Sequence, residues 1–401
     1  MTFGEKLRQL MTERGTRLRK LAKEVPVDQG HLSRIANDHR APSVDLAQRL
    51  DKLLHAGGAL AALKPIPVRT AVHDDLGEAT EAIELARRVA TSDVGDETLV
   101  ALEMTVDDLA SAYPRSAPGE LLARTRQHLA YVSQLMDSRM TLAERRRLVV
   151  VGGWLSLLAA TCDVDLGRRP AAAARLRTAA QLARHVGHPE ILAWTLETQA
   201  WQHITDGDYR QAVELARGAH EMAPKSSSAY IQATAQEGRA WARLAADGVT
   251  GAARETREAL ARVERLVEPL PMPDRPEHHY RYDPAKSDAY IATTLSWLGD
   301  PAAEPYARGV LDRLERPTAG PARPRRAASA RLDLALALLA SDQPDEAAHA
   351  AMEAVTSGRL VPSNYWRAAE VITAVEALRV PGAAELHEAY RELCPPKGDD
   401  V

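Results

Sequence analysis

Apolar residues recur every three or four positions along most of the chain, often within Ala-rich runs flanked by Arg and Glu. This spacing is typical of amphipathic α-helices that bury one face. Segments in which β-branched and polar residues alternate, as expected for strands, are nearly absent. Gly, Pro and Asp interrupt the helical pattern and predict turns. The sequence therefore predicts an all-α fold.

Alanines in the second half of the chain repeat with a fixed spacing. Within each set the second alanine follows the first by 12 residues and the third follows the second by 7, with 40 residues between the first three sets. Most sets contain a turn sequence such as "DGD" (206–208) after the first alanine. The sets are Ala160, Ala172 and Ala179; Ala200, Ala212 and Ala219; Ala240, Ala252 and Ala259; and, out of phase, Ala335, Ala347 and Ala354.

These sets predict helical hairpins with one small residue on the first helix and two on the second. A single hairpin cannot bury its apolar face, so the hairpins are expected to stack into an α-solenoid. The segment 195–224 resembles a tetratricopeptide repeat, and the resemblance extends over about 145–395, although a period of 40 residues exceeds the usual 34. The positions that carry it are Ala200, Gly207, Tyr209, Ala212, Ala219 and Pro224.

The N-terminal stretch "VDQGHLSRIANDHRAPS" (27–43) predicts a short helix with a polar outer face. Asp28 is placed to cap its first turn by accepting from free backbone N–H groups. Leu32 and Ile35 are three residues apart and are expected to face inward. At about 100° per residue, Gly30, Ser33, Arg34 and Asn37 then point outward. Such a face is suited to hydrogen bonding with base edges and phosphates.

This region resembles the Cro/repressor-like (XRE) helix-turn-helix family over residues 3–56. The resemblance implies helices at 3–14, 18–25, 28–37 and 43–55. Three positions depart from the family pattern: Pro26 replaces the turn glycine, Ala36 replaces an acidic residue that pairs with the first helix, and Asp38 replaces a second glycine. Asp tolerates the left-handed backbone better than most residues, so we expect these departures to change local geometry and not the fold.

The resemblance also implies which residues contact DNA. The expected base-contacting residues are Gln29, His31, Ser33, Arg34 and Asn37, and Arg34 is suited to two hydrogen bonds with guanine. The expected phosphate-contacting residues are Arg17, Arg19, Lys20 and Arg40. Two alternatives remain open: the basic residues form a solvated surface, or His31 packs beside the core.

Charge supports a polyanionic partner for the N-terminal part alone. Residues 1–64 contain 12 Lys and Arg against 7 Asp and Glu, a net charge of +5, whereas the whole chain carries −4 and the remainder therefore −9. We predict a DNA-binding domain at 1–64, a helical linker or capping region at 65–144, a repeat domain at 145–395 and a tail at 396–401. Neither a signal peptide nor a transmembrane segment is expected, and the predicted location is cytoplasmic.

Tryptophans in the repeat region suggest a ligand groove. On tetratricopeptide phasing Trp154 is equivalent to Trp194, and Trp201 is equivalent to Trp241. In that family these positions face the concave surface, and Glu197 lies between Trp194 and Trp201 on the same helix face. The alternative is that these aromatic rings fill gaps between helices. The acidic repeat region would favour a cationic or neutral ligand.

Other chemical motifs are weak. The pair His278 and His279 lies near Tyr280, Tyr282 and Asp283, but no further His or Cys follows at metal-ligand spacing. We expect a polar loop there and no metal site. The two cysteines, at 162 and 394, form no spacing motif. No phosphate-binding loop or nucleophile motif occurs, so no cofactor is implied and an enzyme is not expected.

A DNA-binding head joined to helical repeats resembles two groups of regulators. One is the peptide-responsive receptors of Gram-positive bacteria, and the other is a set of actinobacterial regulators, whose composition fits better because Arg and Ala are abundant here. The resemblance implies a sequence-specific transcription regulator that binds double-stranded DNA as a homodimer and senses a peptide, small molecule or protein partner. The alternative is a repeat scaffold or adaptor whose helix-turn-helix no longer reads specific DNA.

Overall fold

A computed structural model describes residues 1–25, 27–63, 94–271, 278–282, 284–316 and 323–394. These ranges contain 18 α-helices, two short 3-10 helices and no strand, which confirms the predicted all-α class. The chain divides into two compact units, Met1–Glu78 and Ala79–Val401. Each unit has its own hydrophobic core.

The N-terminal unit contains four helices that match the expected positions to within two residues. They are α1 (Phe3–Glu13), α2 (Leu18–Glu24), α3 (Gln29–Ala36) and α4 (Val44–Leu53), followed by a 3-10 turn at Ala61–Leu63. Their apolar faces meet in one core whose largest buried side chains are Leu7, Leu21, Leu32, Ile35, Leu50, Leu54 and Leu60. The predicted inward positions of Leu32 and Ile35 are confirmed.

Side-chain caps begin three of these four helices. Thr2 accepts from the backbone N–H of Glu5, while the Glu5 carboxylate accepts from the backbone N–H of Thr2, a reciprocal capping box. Asp28 accepts from the backbone N–H of His31 at 2.9 Å, as predicted. Ser43 accepts from the backbone N–H of Leu46 at 3.2 Å. Caps of this kind satisfy amide groups that a helix cannot pair internally.

Two of the three departures from the family pattern lie at one contact between α1 and the end of α3. Asp38 takes a left-handed backbone (φ 57°), and its carboxylate accepts from the backbone N–H of Gly4 at 2.8 Å and from the Thr2 hydroxyl at 2.6 Å. A Cβ on Gly4 would lie only 2.6 Å from that carboxylate. Arg8 donates to the carbonyl oxygen of Ala36, where the family has an ion pair. Pro26 lies outside the described residues.

The end of α4 is fastened by a buried carboxylate. Asp51 accepts from the backbone N–H groups of Gly58, Leu60 and Ala61 at 2.7, 2.8 and 3.1 Å. Burial opposes its ionisation, but the three hydrogen bonds outweigh this effect and lower the Asp51 pKa. The carboxylate thus holds the segment after α4 against the core.

The second unit is a series of packed helical hairpins, as predicted from the alanine pattern. Successive helices contact each other, and alternate first helices of the hairpins also contact. The helices are α5 (Asp96–Ala112), α6 (Pro118–Leu135), α7 (Leu142–Asp165), α8 (Arg169–Val186), α9 (Pro189–Thr205), α10 (Tyr209–Met222), α11 (Ser228–Ala246), α12 (Ala252–Val267), α13 (Pro284–Leu298), α14 (Ala303–Glu315), α15 (Pro324–Ala340), α16 (Pro344–Thr356), α17 (Tyr365–Ala377) and α18 (Ala383–Leu393).

The repeated alanines lie where the helices come closest. All twelve have an exposed fraction of 0%, and each set places one alanine on the first helix of a hairpin and two on the second. The turns between the helices use left-handed glycines, for example Gly207 with φ 80°, because glycine reaches this backbone without steric cost. Small side chains at these contacts leave no space for a larger residue.

One hairpin escaped the sequence pattern. In α13 and α14 the buried positions are Ala292, Ala303 and Val310, separated by 11 and 7 residues instead of 12 and 7. The third small residue is also replaced by valine. The helices α5 and α6 occupy the predicted capping region and both pack on α7. Residues 64–93 and 395–401 lie outside the described ranges, so the boundaries near 64 and the tail at 396–401 stay predictions.

One helix in the described residues, Leu142–Asp165, is long and apolar enough to cross a membrane by composition. In the structure 89% of its most apolar window is buried inside the second unit. It contacts α5, α6, α8 and α9. Its apolar character therefore matches that of a central helix in a helical core.

Candidate functional site

The outer face of α3 is a polar surface held on a rigid helix. Leu32 and Ile35 are buried below it, and the Asp28 cap fixes its first turn. Among the predicted base-contacting residues Gln29, Arg34 and Asn37 are exposed, whereas His31 and Ser33 are half-buried. The Asn37 side-chain amide donates to the carbonyl oxygen of Ser33 at 3.0 Å, which leaves its oxygen free to accept.

The predicted phosphate-contacting residues Arg17, Arg19, Lys20 and Arg40 are all exposed. Within the described ranges no carboxylate oxygen lies within 4.0 Å of these four side chains or of Arg34. Their positive charges are therefore not neutralised by ion pairs inside the unit. Unpaired cations of this kind favour binding to the phosphate backbone of nucleic acids.

The second unit contains a cavity of about 290 Å³ between several first helices of its hairpins. Residues from α9, α11, α13, α15 and α17 line it, so side chains far apart in the sequence meet there. The most polar of the described lining residues are Asp165, Glu197, Gln232, Gln236, Arg239, Lys286, Arg313, Arg323, Arg325, Arg326, Asp333, Asn364 and Arg367, and its aromatic residues include Trp201 and Tyr290.

A buried carboxyl group lies at one side of the cavity. Glu197 accepts from the Gln232 side-chain amide at 2.8 Å, and the same amide group donates to the Tyr290 hydroxyl at 2.5 Å. Burial raises the Glu197 pKa to about 7, although the Gln232 hydrogen bond and the nearby charges of Arg239 and Lys286 oppose this shift. Glu197 therefore exchanges its proton near neutral pH.

The other two carboxylates of the lining form buried ion pairs. Asp165 accepts from Arg325 at 2.5 Å, and it also accepts from the Tyr113 hydroxyl at 2.8 Å. Asp333 pairs with Arg367, and its second oxygen accepts from the Thr293 hydroxyl at 2.8 Å. Each aspartate thus links helices that are distant in the sequence.

The segment 278–282 is a buried plug and not the polar loop that we expected. His278, Tyr280 and Tyr282 are at most 5% exposed. Lys286 donates to the carbonyl oxygens of residues 278, 279 and 281 at 2.6–2.8 Å, and His278 lies 3.1 Å from Asp107 on α5. The prediction failed because the partners of this segment lie about 170 residues earlier in the chain.

Only two of the five predicted groove residues, Glu197 and Trp201, line the cavity. The assignment of Trp194 to an open groove is wrong, because this side chain is 1% exposed and belongs to the core. Trp194 and Trp201 do lie on one face of α9. The plug covers that face at Trp194, with Tyr280 5.2 Å from its ring, and leaves it open at Trp201.

The remaining two tryptophans lie elsewhere. Trp154 packs against Tyr280, at 4.9 Å between ring centroids, and lines a second, separate depression. The Trp241 indole N–H points to Glu237, and the Arg217 guanidinium lies 5.4 Å from its ring. For these two residues the alternative interpretation, aromatic rings packed between elements, describes the structure better than a shared groove.

The charge of the cavity is opposite to that expected from the acidic repeat region. Its described lining contains Lys286 and seven arginines against three carboxylates. Sequence analysis missed Arg239, Tyr290 and Asp333. A usable signal was present in α11, where Gln232, Gln236 and Arg239 interrupt an otherwise small and apolar helix and are at most 8% exposed.

Comparison with known proteins supports one of the two units. A search of curated proteins found no match for the chain. A family model described as a helix-turn-helix domain matches residues 2–63, the range that holds α1–α4 and the 3-10 turn. Together with the exposed polar face of α3, this match identifies the N-terminal unit as a helix-turn-helix domain of the Cro/repressor-like type, joined to an array of helical hairpins.

Proposed function

We propose that this protein is a sequence-specific DNA-binding transcription regulator. The observation that carries the proposal is the outer face of α3, where Arg34 and neighbouring polar groups are exposed and unneutralised on a capped helix. In this arrangement α3 enters the major groove, its polar residues contact base edges, and Arg19 and Lys20 contact phosphates. The helix-turn-helix match over residues 2–63 supports this role.

The test is selection of bound sequences from a random DNA pool with the full-length protein. We expect enrichment of one sequence, with affinity at least about 10³-fold above that for random DNA, as is typical of specific binders. The rival function is a scaffold or adaptor with a head that no longer reads DNA. Equal affinity for enriched and random sequences would favour that rival.

We further propose that the helical array binds an effector and supports dimerisation. The cavity supports the effector role, because it is lined by titratable and aromatic side chains, as ligand sites commonly are. An effector controls DNA binding only through different affinities for the two states of the regulator, and a difference of 1–3 kcal/mol corresponds to roughly 5–150-fold. Operator affinity measured with and without a cavity ligand tests this role.

A further inference from the structure

Trp297, on α13, is surrounded by arginines, two of which have a carboxylate partner. The guanidinium carbons of Arg243 and Arg367 lie 5.7 and 5.6 Å from the ring centroid of the indole. Arg243 donates to both carboxylate oxygens of Glu370, at 2.9 and 3.1 Å. Arg367 pairs with Asp333. These two positive charges are neutralised within the fold.

The third arginine, Arg239, lies 4.8 Å from the same ring and carries a buried charge without a counter-ion. It lines the cavity and is 8% exposed. Its Nη1 donates to the neutral Gln236 side chain at 3.1 Å, and its Nε has no hydrogen-bond partner. Within the described residues no carboxylate oxygen lies within 4.0 Å of this guanidinium. A buried charge in this condition costs free energy.

Aromatic rings compensate for part of this cost. Besides Trp297, the rings of Trp201 and Tyr290 lie 4.6 and 4.9 Å from the Arg239 guanidinium carbon. Cation–π contacts are worth about 0.5–2 kcal/mol each, but they do not satisfy the Nε–H donor. The rings also provide apolar walls beside the charge. The site therefore combines one unsatisfied, charged donor with a surface for an apolar group.

We propose that the cavity binds a small amphipathic carboxylic acid, whose carboxylate pairs with Arg239 and whose apolar part packs against Trp201 and Tyr290. This inference specifies the effector of the proposed function and rests on it. One unneutralised guanidinium matches one negative charge, and its planar fork matches a carboxylate. A phosphate monoester would bring a second charge near Asp333 and Glu197. The cavity volume of about 290 Å³ limits the ligand to a small compound.

Binding of matched probes to the full-length protein tests the chemical class. The probes are phenylbutyrate, its neutral amide, the corresponding amine and phenyl phosphate, together with linear alkanoates of increasing length. Calorimetry and tryptophan fluorescence give the affinities. We expect a carboxylate to bind at least about tenfold more tightly than its amide or amine, as for hydrogen bonds to charged groups. The proposal is overturned if no carboxylate binds, or if the amide, amine or phosphate binds more tightly.

Substitution of the arginine tests the residue. Arg239→Gln should weaken carboxylate binding about tenfold or more and leave amide binding unchanged, whereas Arg239→Lys, which keeps the charge, should bind with intermediate affinity. Arg359→Gln is the matched control, because this exposed arginine lines the same cavity. Without probe, Arg239→Gln should unfold at the same or a higher temperature, since it removes an unneutralised charge. Unchanged carboxylate affinity in a folded Arg239→Gln variant would refute the assignment.

These binding measurements contain no DNA, so they separate the inference from the proposed function. A protein that binds carboxylates but shows no change in operator affinity has the ligand site without the regulatory coupling. A protein that binds its operator normally but binds no carboxylate has the regulatory head without the inferred ligand class. Each result contradicts one proposal and leaves the other standing.

Discussion

At the scale of single residues, the surface of α3 separates two kinds of DNA contact. Arg34→Ala should relax discrimination at one base pair and cost about 1–3 kcal/mol of operator binding. Arg19→Ala should instead weaken binding to all sequences and reduce its salt dependence, because it removes a phosphate contact. Binding titrations on operator and random DNA at several salt concentrations measure both effects. Identical behaviour of the two variants would contradict the assigned roles.

The buried carboxyl of Glu197 predicts a pH-dependent stability. Its folded pKa, about 7, lies above the ordinary value for glutamate, so the ionised form costs stability above pH 7 and this cost disappears as the pH falls towards 4.5. Glu197→Gln keeps the acceptor for Gln232. It should therefore raise the unfolding temperature above pH 7 and have little effect near pH 4.5. Thermal unfolding across this pH range measures the difference.

The matched control is Glu264→Gln, which changes an exposed glutamate of the same unit. This variant should follow the wild type at every pH. A Glu197→Gln variant that is less stable than the wild type above pH 7 would show that the ionised carboxylate stabilises the fold.

The two tryptophans on α9 should differ in their contribution to stability. Trp194 is buried in the core, so Trp194→Ala should cost about 3–5 kcal/mol of unfolding free energy. Trp201 is half-exposed at the cavity, and its removal should cost clearly less while weakening the binding of a cavity ligand. Denaturant unfolding of the two variants compares them directly. Equal losses would place Trp201 in the core as well.

Sequence analysis predicted a residue's environment well where that environment comes from its own short segment. Leu32, Ile35 and the Asp28 cap belong to this class, since helix periodicity and capping chemistry are local. It failed for Trp194 and Arg239. The first is covered by the plug, about 80 residues away, and the second is surrounded by side chains from α9 and α13. Such neighbours leave no trace in the spacing of nearby residues.

At the scale of elements, the end of α4 depends on one carboxylate. Asp51→Asn replaces an oxygen that accepts from backbone N–H groups by an amide donor, and should cost about 1–3 kcal/mol. Hydrogen exchange of peptides from residues 1–63 in the full-length protein should accordingly be faster by roughly 5–150-fold. The exposed Asp45→Asn on the same helix is the control, because its surface ion pair with Arg49 is worth little.

The effect of this substitution should also depend on pH. Because the folded pKa of Asp51 is lowered, its stabilising contribution is present above about pH 4 and is lost as the pH falls below that value. The difference between the wild type and Asp51→Asn should therefore shrink in acid. A difference that stays constant down to the lowest pH would contradict the role of the charge.

Hairpins were predictable as elements because their contacts repeat. The spacing of 12 and 7 residues located four of them, since the small residue is needed wherever two helices approach closely. The hairpin of α13 and α14 was missed because its turn is one residue shorter in register and Val310 replaces an alanine. The same reasoning cannot find the plug, which has neither periodicity nor a repeated partner.

At the scale of the whole molecule, we predict a dimer formed mainly by the helical array. Operators bound by a two-fold dimer have half-sites whose centres lie about 34–36 Å apart or a multiple of this distance. Sedimentation of the full-length protein should give twice the chain mass of 43.7 kDa. Cross-linking with mass spectrometry should then place the intermolecular links beyond residue 94. Links confined to residues 1–63, or a monomer at DNA-binding concentrations, would exclude this arrangement.

The bonds of the plug and of Arg325 have a consequence for how the array folds. In an open solenoid each repeat contacts only its neighbours, so folding can start anywhere and the ends can unravel one repeat at a time. Here His278 reaches Asp107, Arg325 donates to the carbonyl oxygen of Tyr113, and Ser363 donates to Asp165. These contacts close loops of 160 to more than 200 residues, so their high contact order should slow folding and make the late steps highly cooperative. The last hairpins synthesised complete the support of the first.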